Sequence, residues 1–111
     1  MTVSVKVLIP AKIAEATQTT QYTANGVTTI IDKFTATNYS ASAATISINL
    51  VTVSGSAGNL NLITKTKTLQ PAEVYTFPEI VGQVLGSGDF ISTIAGTATS
   101  INIRASGREV S

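Results

Sequence analysis

The chain has no cysteine, no histidine and no tryptophan among its 111 residues. Without cysteine there is no disulfide framework and no thiolate metal site. Without histidine the commonest general base near neutral pH is gone, and with it the commonest nitrogen ligand for metals. Charged side chains make up 12% of the residues, about half the share of an ordinary soluble domain. Aromatic residues make up 5%, a poor basis for stacking sugars or bases. Seven basic against six acidic residues leave a net charge of +1, so no general attraction to nucleic acid or to an acidic membrane is expected. No apolar run approaches the roughly 18 residues that a membrane-spanning helix needs.

What the chain does have is branched side chains. Isoleucine, valine and threonine account for 40 of the 111 residues, and they suit a pleated strand better than a helix. Leucine, isoleucine, valine and phenylalanine total 31, enough for one hydrophobic core in a chain of single-domain length. The expected fold is all-β: a single-domain antiparallel β-sandwich, jelly-roll-like, of about eight strands, with one short helical turn near 79–85. Eighteen threonines and eleven serines take the polar positions. Such a surface repels neighbouring proteins weakly.

Residues 2–9 alternate, with Val3, Val5, Val7 and Ile9 on one face and Ser4, Lys6 and Leu8 on the other. The stretch reads as a strand or strand-forming arm, received by its own sheet or by a neighbour's, and 12–23 has little periodicity. The expected division is an arm and linker over 1–18 and a sandwich over 19–111, so that removing 1–12 would leave the sandwich folded. Ala14-Glu15-Ala16 mimics a signal-peptidase site, but Lys6 and Lys12 interrupt the apolar run it would need, and no signal peptide is expected. Asn25-Gly26 favours a tight hairpin turn, joining a strand near 19–24 to one over 27–37. In the latter, Ile30, Phe34 and Ala36 are expected to share a face with Asp32, and Ile31 to point the other way. Ala44–Val53 should bury Ile46, Ile48 and Leu50. The loop Ser54-Gly55-Ser56-Ala57-Gly58 reads as exposed and adaptable, and Lys65 and Lys67 as two charges on one face. From Leu69 to Ala95 a turn at Gln70-Pro71, a break at Pro78, an apolar segment (Ile80, Val81, Val84, Leu85) and the turn Gly86-Ser87-Gly88-Asp89 look built to close one end of a sandwich. Ile101 and Ile103 should face inward.

Little of this resembles a reactive site. The six carboxylates, Glu15, Asp32, Glu73, Glu79, Asp89 and Glu109, stand in scattered local settings. Gly86-Ser87-Gly88-Asp89 lacks the lysine of a phosphate loop and the acidic spacing of a calcium loop, and a turn using glycines at positive φ explains it more simply. Asn38-Tyr39-Ser40 is formally a glycosylation sequon and reads as a turn. No catalytic, cofactor-binding or metal-binding residue is assigned, and no cofactor is expected.

Three stretches carry a family resemblance: TIIDKFTATNYSASAATISINLV (29–51), LQPAEVYTFPEIVGQVLGSGDFISTIA (69–95) and SINIRASGREV (100–110). A strand ending in a Thr-Asn turn, an L-x-P-x-E turn, an L-x-x-G-D-x-I approach to a strand and a terminal S-G-x-E follow one another in this order. That order resembles small virion structural proteins of tailed phages, most closely the capsid decoration (cement or staple) proteins of epsilon15-type short-tailed phages. The resemblance implies a non-enzymatic protein on the outer surface of the capsid, made in the host cytoplasm, that bridges and stabilises major capsid protein subunits and associates with copies of itself. It implies no nucleic-acid, membrane or small-molecule partner. A tail or head-to-tail connector component is the near rival, and a carbohydrate-binding or adhesive β-sandwich is the rival from another class. The candidate interface is Val3, Val5, Val7 and Ile9, by strand addition, with the loop tips at Tyr39 and at Gly55, Ser56 and Gly58. Asn25, Gly26, Pro71, Gly86, Gly88 and Asp89 are structural turn positions.

Overall fold

The computed structural model describes residues 2–111; Met1, the first residue of the expected arm, lies outside them. Nine strands are present among the described residues: β1 (Val3–Ile13), β2 (Thr19–Thr23), β3 (Thr28–Asn38), β4 (Ala44–Val51), β5 (Leu62–Leu69), β6 (Val74–Tyr75), β7 (Val84–Leu85), β8 (Phe90–Ala95) and β9 (Ile101–Val110). They form two antiparallel sheets. The first has the order β1-β9-β3-β6, with β7 also on β3, and the second has the order β2-β8-β4-β5. With β6 and β7 counted as one strand broken by the Pro78 turn, this is jelly-roll connectivity, eight strands in two four-stranded layers.

The core between the layers is built from the period-two faces of the long strands. Phe34 and Ala36 of β3, Ile46 and Ile48 of β4, Ile91 of β8, and Ile101, Ile103 and Ala105 of β9 are buried. Phe77 enters from the connection after β6, and its ring meets Phe34 edge-on at 4.8 Å between centroids. Ile80 and Leu85 join it in the core, while Val81 and Val84 remain exposed. The stretch from 69 to 95 thus closes the sandwich with half of its expected apolar segment.

Several expectations fail for one physical reason, the β-bulge, which adds a residue to one strand and flips the faces beyond it. In β3 the register shifts between Ile31 and Lys33, so Ile31 is buried and Ile30 looks outward. In β1 it shifts after Val7 and again after Ile9. Leu8 and Ile9 are therefore both buried, and Ile9 leaves the face of Val3, Val5 and Val7. In β5 the register shifts beside Thr66, whose φ is +42°. Lys67 then faces the Tyr75 ring, 4.7 Å from its centroid, and Lys65 points away on the outer side.

The arm and linker also differ from expectation. Strand β1 pairs with β9 from Val3 to Ile13 within the sandwich itself. The segment after it is anchored: Ala14 N–H donates to Ile101 O at 2.8 Å, and Glu15 O accepts from Ala95 N–H at 2.9 Å. No helical turn forms at 79–85. Consecutive turns run there instead, with Ile80 N–H and Val81 N–H both donating to Phe77 O, and the one 3-10 turn among the described residues lies at Asn59–Asn61. The Asn25-Gly26 turn, with Gly26 at φ +69°, carries the chain from the second sheet to the first, because β2 and β3 do not pair.

Candidate interface surfaces

The three groups of candidate interface residues fall on three separate surfaces. Val3, Val5 and Val7 lie on the outer face of the first sheet, since their cross-strand neighbours Val110, Arg108 and Ser106 alternate with inward Gly107 and Ala105. Tyr39 is half exposed in the loop after β3, where its N–H donates to Ser100 O. Gly55, Ser56 and Gly58 lie in the loop after β4, at the opposite end of the strands from Tyr39. Ile9 is in the core and offers no surface.

The loop expected to be adaptable is pinned. Asn49, buried on the outer side of β4, donates from Nδ2 to Gly58 O at 3.0 Å and to Asn61 Oδ1 at 2.7 Å. Asn61 in turn accepts from Gly58 N–H and donates to Ser56 O. Buried amides of this kind fix a loop because leaving them unpaired costs about 1–3 kcal/mol each. Sequence reading missed Asn49, although an asparagine at an outward position of an apolar strand is the available signal.

The turn residues hold the two ends. Asp89 accepts Gly86 N–H on one carboxylate oxygen and Val53 N–H on the other, at 2.8 and 2.9 Å. The backbone of the same turn exchanges bonds with Ala24 through Gly88 N–H and Asp89 O, so the Asn25-Gly26 turn packs beside it. At the other end the Pro71 turn is tied to β3, with Ala72 N–H donating to Asn38 O and Asn38 N–H to Glu73 O. Asn38 is buried, and its Nδ2 donates to Ser42 O and Leu69 O. The sequon amide therefore works as a turn-forming group.

The carboxylates each have their own partners. Arg108 grips Asp32 with two hydrogen bonds of 3.0 and 2.9 Å, which hold the Asp32 carboxyl below its usual range. Lys12 and Gln21 do the same for Glu15. The Tyr22 hydroxyl donates to Glu109 at 2.5 Å, and Lys6 stands 3.3 Å away; both lower the Glu109 carboxyl. Burial and this bond push the Tyr22 phenol up to about 12. Among the described residues no three carboxylates gather where a metal could sit. Tyr22 and Tyr75 spend their hydroxyls on Glu109 and Glu79. Two open concavities of about 220 Å³ each on the second sheet contain no aromatic ring.

The most distinctive surface is the outer face of the first sheet. Val5, Arg108, Ile30 and Val84 stand side by side across β1, β9, β3 and β7, flanked by Val3 beside Val110 and by Val7 beside Ser106. Val5 is 89% exposed, Val84 58% and Val3 54%. Strand β1 is also a sheet edge. Thr2 and Ser111 exchange both backbone hydrogen bonds at 2.9 Å, and in an antiparallel ladder the bonded pairs alternate. Ser4 and Lys6 therefore turn their backbone groups toward β9, and Val3, Val5 and Val7 turn theirs outward. Compared with known proteins, the chain matches no family model, no curated protein sequence and no solved structure.

Proposed function

We propose that the chain is a non-enzymatic virion structural protein, a capsid decoration protein that sits on the outer shell of a tailed phage and braces neighbouring major capsid protein subunits. The observation that carries this reading is the exposed valine surface at the β1 edge. Solvated edges are usually blunted by charge, proline or bulges; β1 has Lys6 on its other face and Pro10 and its bulges beyond Val7, while Val3, Val5 and Val7 combine exposed apolar side chains with outward-facing backbone donors and acceptors. A row of exposed apolar side chains along a strand edge fits contact with other protein. The rigid jelly roll behind it and the order of motifs along the chain support a bracing role. A brace needs no reaction: many modest contacts repeated over a symmetric shell add up through avidity.

The test is reconstitution. Shells of a short-tailed phage that lack the protein are mixed with purified chain, sedimented and imaged. The expected result is density at symmetry-equivalent positions across the outer surface and shells that withstand higher temperature. Density confined to the tail vertex would move the assignment to the connector, and no association with any particle would overturn it.

A further inference from the structure

We infer that the free edge of β1 pairs with β1 of a second copy of this chain, antiparallel, about a two-fold axis passing through Val5. This rests on the assembly reading above and deepens it by naming a surface and its partner.

The register follows from the backbone. A new strand can bond only to residues whose N–H and C=O face outward, and in the unbulged part of β1 these are Val3, Val5 and Val7. Set antiparallel about Val5, two copies place Val5 opposite Val5 and each Val3 opposite Val7. All three pairs are then bonded pairs, two N–H···O=C bonds apiece. The valines of both copies form one continuous apolar stripe on the outer face. On the other face each Lys6 meets Ser4, and Lys6 already has Glu109 of its own chain at 3.3 Å.

The competing registers are worse. Centring the pair on Lys6 sets two ammonium groups directly opposite, which is destabilising. Centring it on Ser4 leaves only two valine pairs, and a slip of one residue faces outward-turned groups with inward-turned ones. The ladder also has a built-in stop, because register shifts follow Val7 and Ile9 and Pro10 has no N–H to donate. The segment that pairs is therefore Val3–Val7. An isologous contact of this kind closes after two copies. It falls short of the about 1,000 Å² typical of a stable interface, so the solution dimer is weak, with a dissociation constant in the micromolar range or above.

Sedimentation equilibrium of the full chain up to about millimolar concentration tests this. Wild type should dimerise reversibly. V5K, a change at an 89% exposed side chain, should weaken the dimer about tenfold or more through like charges facing across the axis. V5E should do the same, and an equimolar mixture of V5K and V5E should restore a dimer containing both. Because the chain has no cysteine, V5C should cross-link to itself on oxidation, the about 5.5 Å between Cα atoms of a bonded pair suiting a disulfide; L60C, on the most exposed of the large hydrophobic side chains among the described residues, should cross-link far less. A monomeric wild type, a V5K dimer as tight as wild type, or a V5K and V5E mixture that stays monomeric would each overturn the pairing. Shell binding is read separately. A wild-type monomer that still coats shells sinks the pairing alone, and a β1 dimer that ignores every particle sinks the capsid assignment alone.

Discussion

Gly88 lies directly against Val53: a Cβ built on Gly88 would stand 2.5 Å from Val53 Cγ2, and the glycine holds φ at +90°. Two costs coincide there, a backbone conformation that L residues avoid and a collision with a neighbouring side chain. G88A should therefore lower stability by about 2 kcal/mol or more, summing a left-handed backbone cost with an overpacking cost. Val53 is half exposed, so V53A alone should cost little. In the double variant the contact with Cγ2 is gone while the Val53 Cβ still stands 2.9 Å away, so part of the packing cost is recovered and the backbone cost of about 1 kcal/mol stays. Chemical denaturation of the four proteins in a double-mutant cycle measures both parts, and strictly additive losses would show that the collision does not matter.

Gly107 is limited by space alone. A Cβ there would run into the Ile30 carbonyl oxygen and press on Leu8 Cδ1 at 3.0 Å, where β9 sits between β1 and β3. Backbone cannot swing aside as a side chain can, so G107A should cost about 1–3 kcal/mol. Gly58 has nothing within 4 Å of its would-be Cβ, and G58A should stay within about 0.5 kcal/mol of wild type. Thermal melts of the pair separate close packing from loop composition, and an equal response would contradict the difference in surroundings.

How far the sequence could be read follows from the same elements. Strands β4 and β9 announce Ile46, Ile48, Ile101 and Ile103 because their inward residues keep strict period two. The break at Pro78 and the turn at Gly86–Asp89 were legible because proline and glycine restrict or free the backbone locally. The bulges beside Asp32, Leu8 and Thr66 carry no such mark: they cost one unpaired residue, and the exchange of Ile30 for Ile31 in the core swaps two identical side chains. Asn25-Gly26 encodes a sharp turn without saying whether the next strand pairs or crosses to the other sheet. The valine face of β1 was visible as an alternation. That it is the outer face, with outward backbone groups, depends on pairing with residues 101–110, which local sequence does not encode.

That pairing changes what truncation should do. Strand β1 contributes Leu8 and Ile9 to the core and covers one flank of β9. Deleting 2–12 removes two buried aliphatic side chains, worth about 2–5 kcal/mol each by analogy with truncation to alanine, and also strips the bonded flank of a central strand. In a domain whose whole stability is of order 5–15 kcal/mol, the shortened chain should unfold or aggregate. Circular dichroism decides: a cooperative melt near that of the full chain would mean that β1 is dispensable.

Acid should loosen the closing segment through Glu79. Its carboxylate accepts from Thr64 Oγ1 of β5 at 2.5 Å and from the Tyr75 hydroxyl of β6 at 2.7 Å, tying the Pro78 turn to both sheets. Burial pushes this carboxyl up, but the Thr64 bond, a backbone bond, the Tyr75 bond and the nearby Lys67 charge outweigh it, and the net shift is downward from 4.5. A carboxyl with a folded pKa below its unfolded one favours the folded state fully above the unfolded value and loses that contribution as pH falls through the folded one. Glu15, Asp32 and Glu109 are lowered in the same sense. Urea midpoints should therefore hold steady from pH 7 to about 5 and then fall. E79Q keeps the shape of the side chain but replaces one accepting oxygen with a donor, so it should be less stable than wild type at pH 7, and the gap should narrow steadily below pH 4.5, where wild type loses the same carboxylate. A gap of constant size down to pH 3 would show that the Glu79 charge contributes nothing and that its effect is one of shape alone.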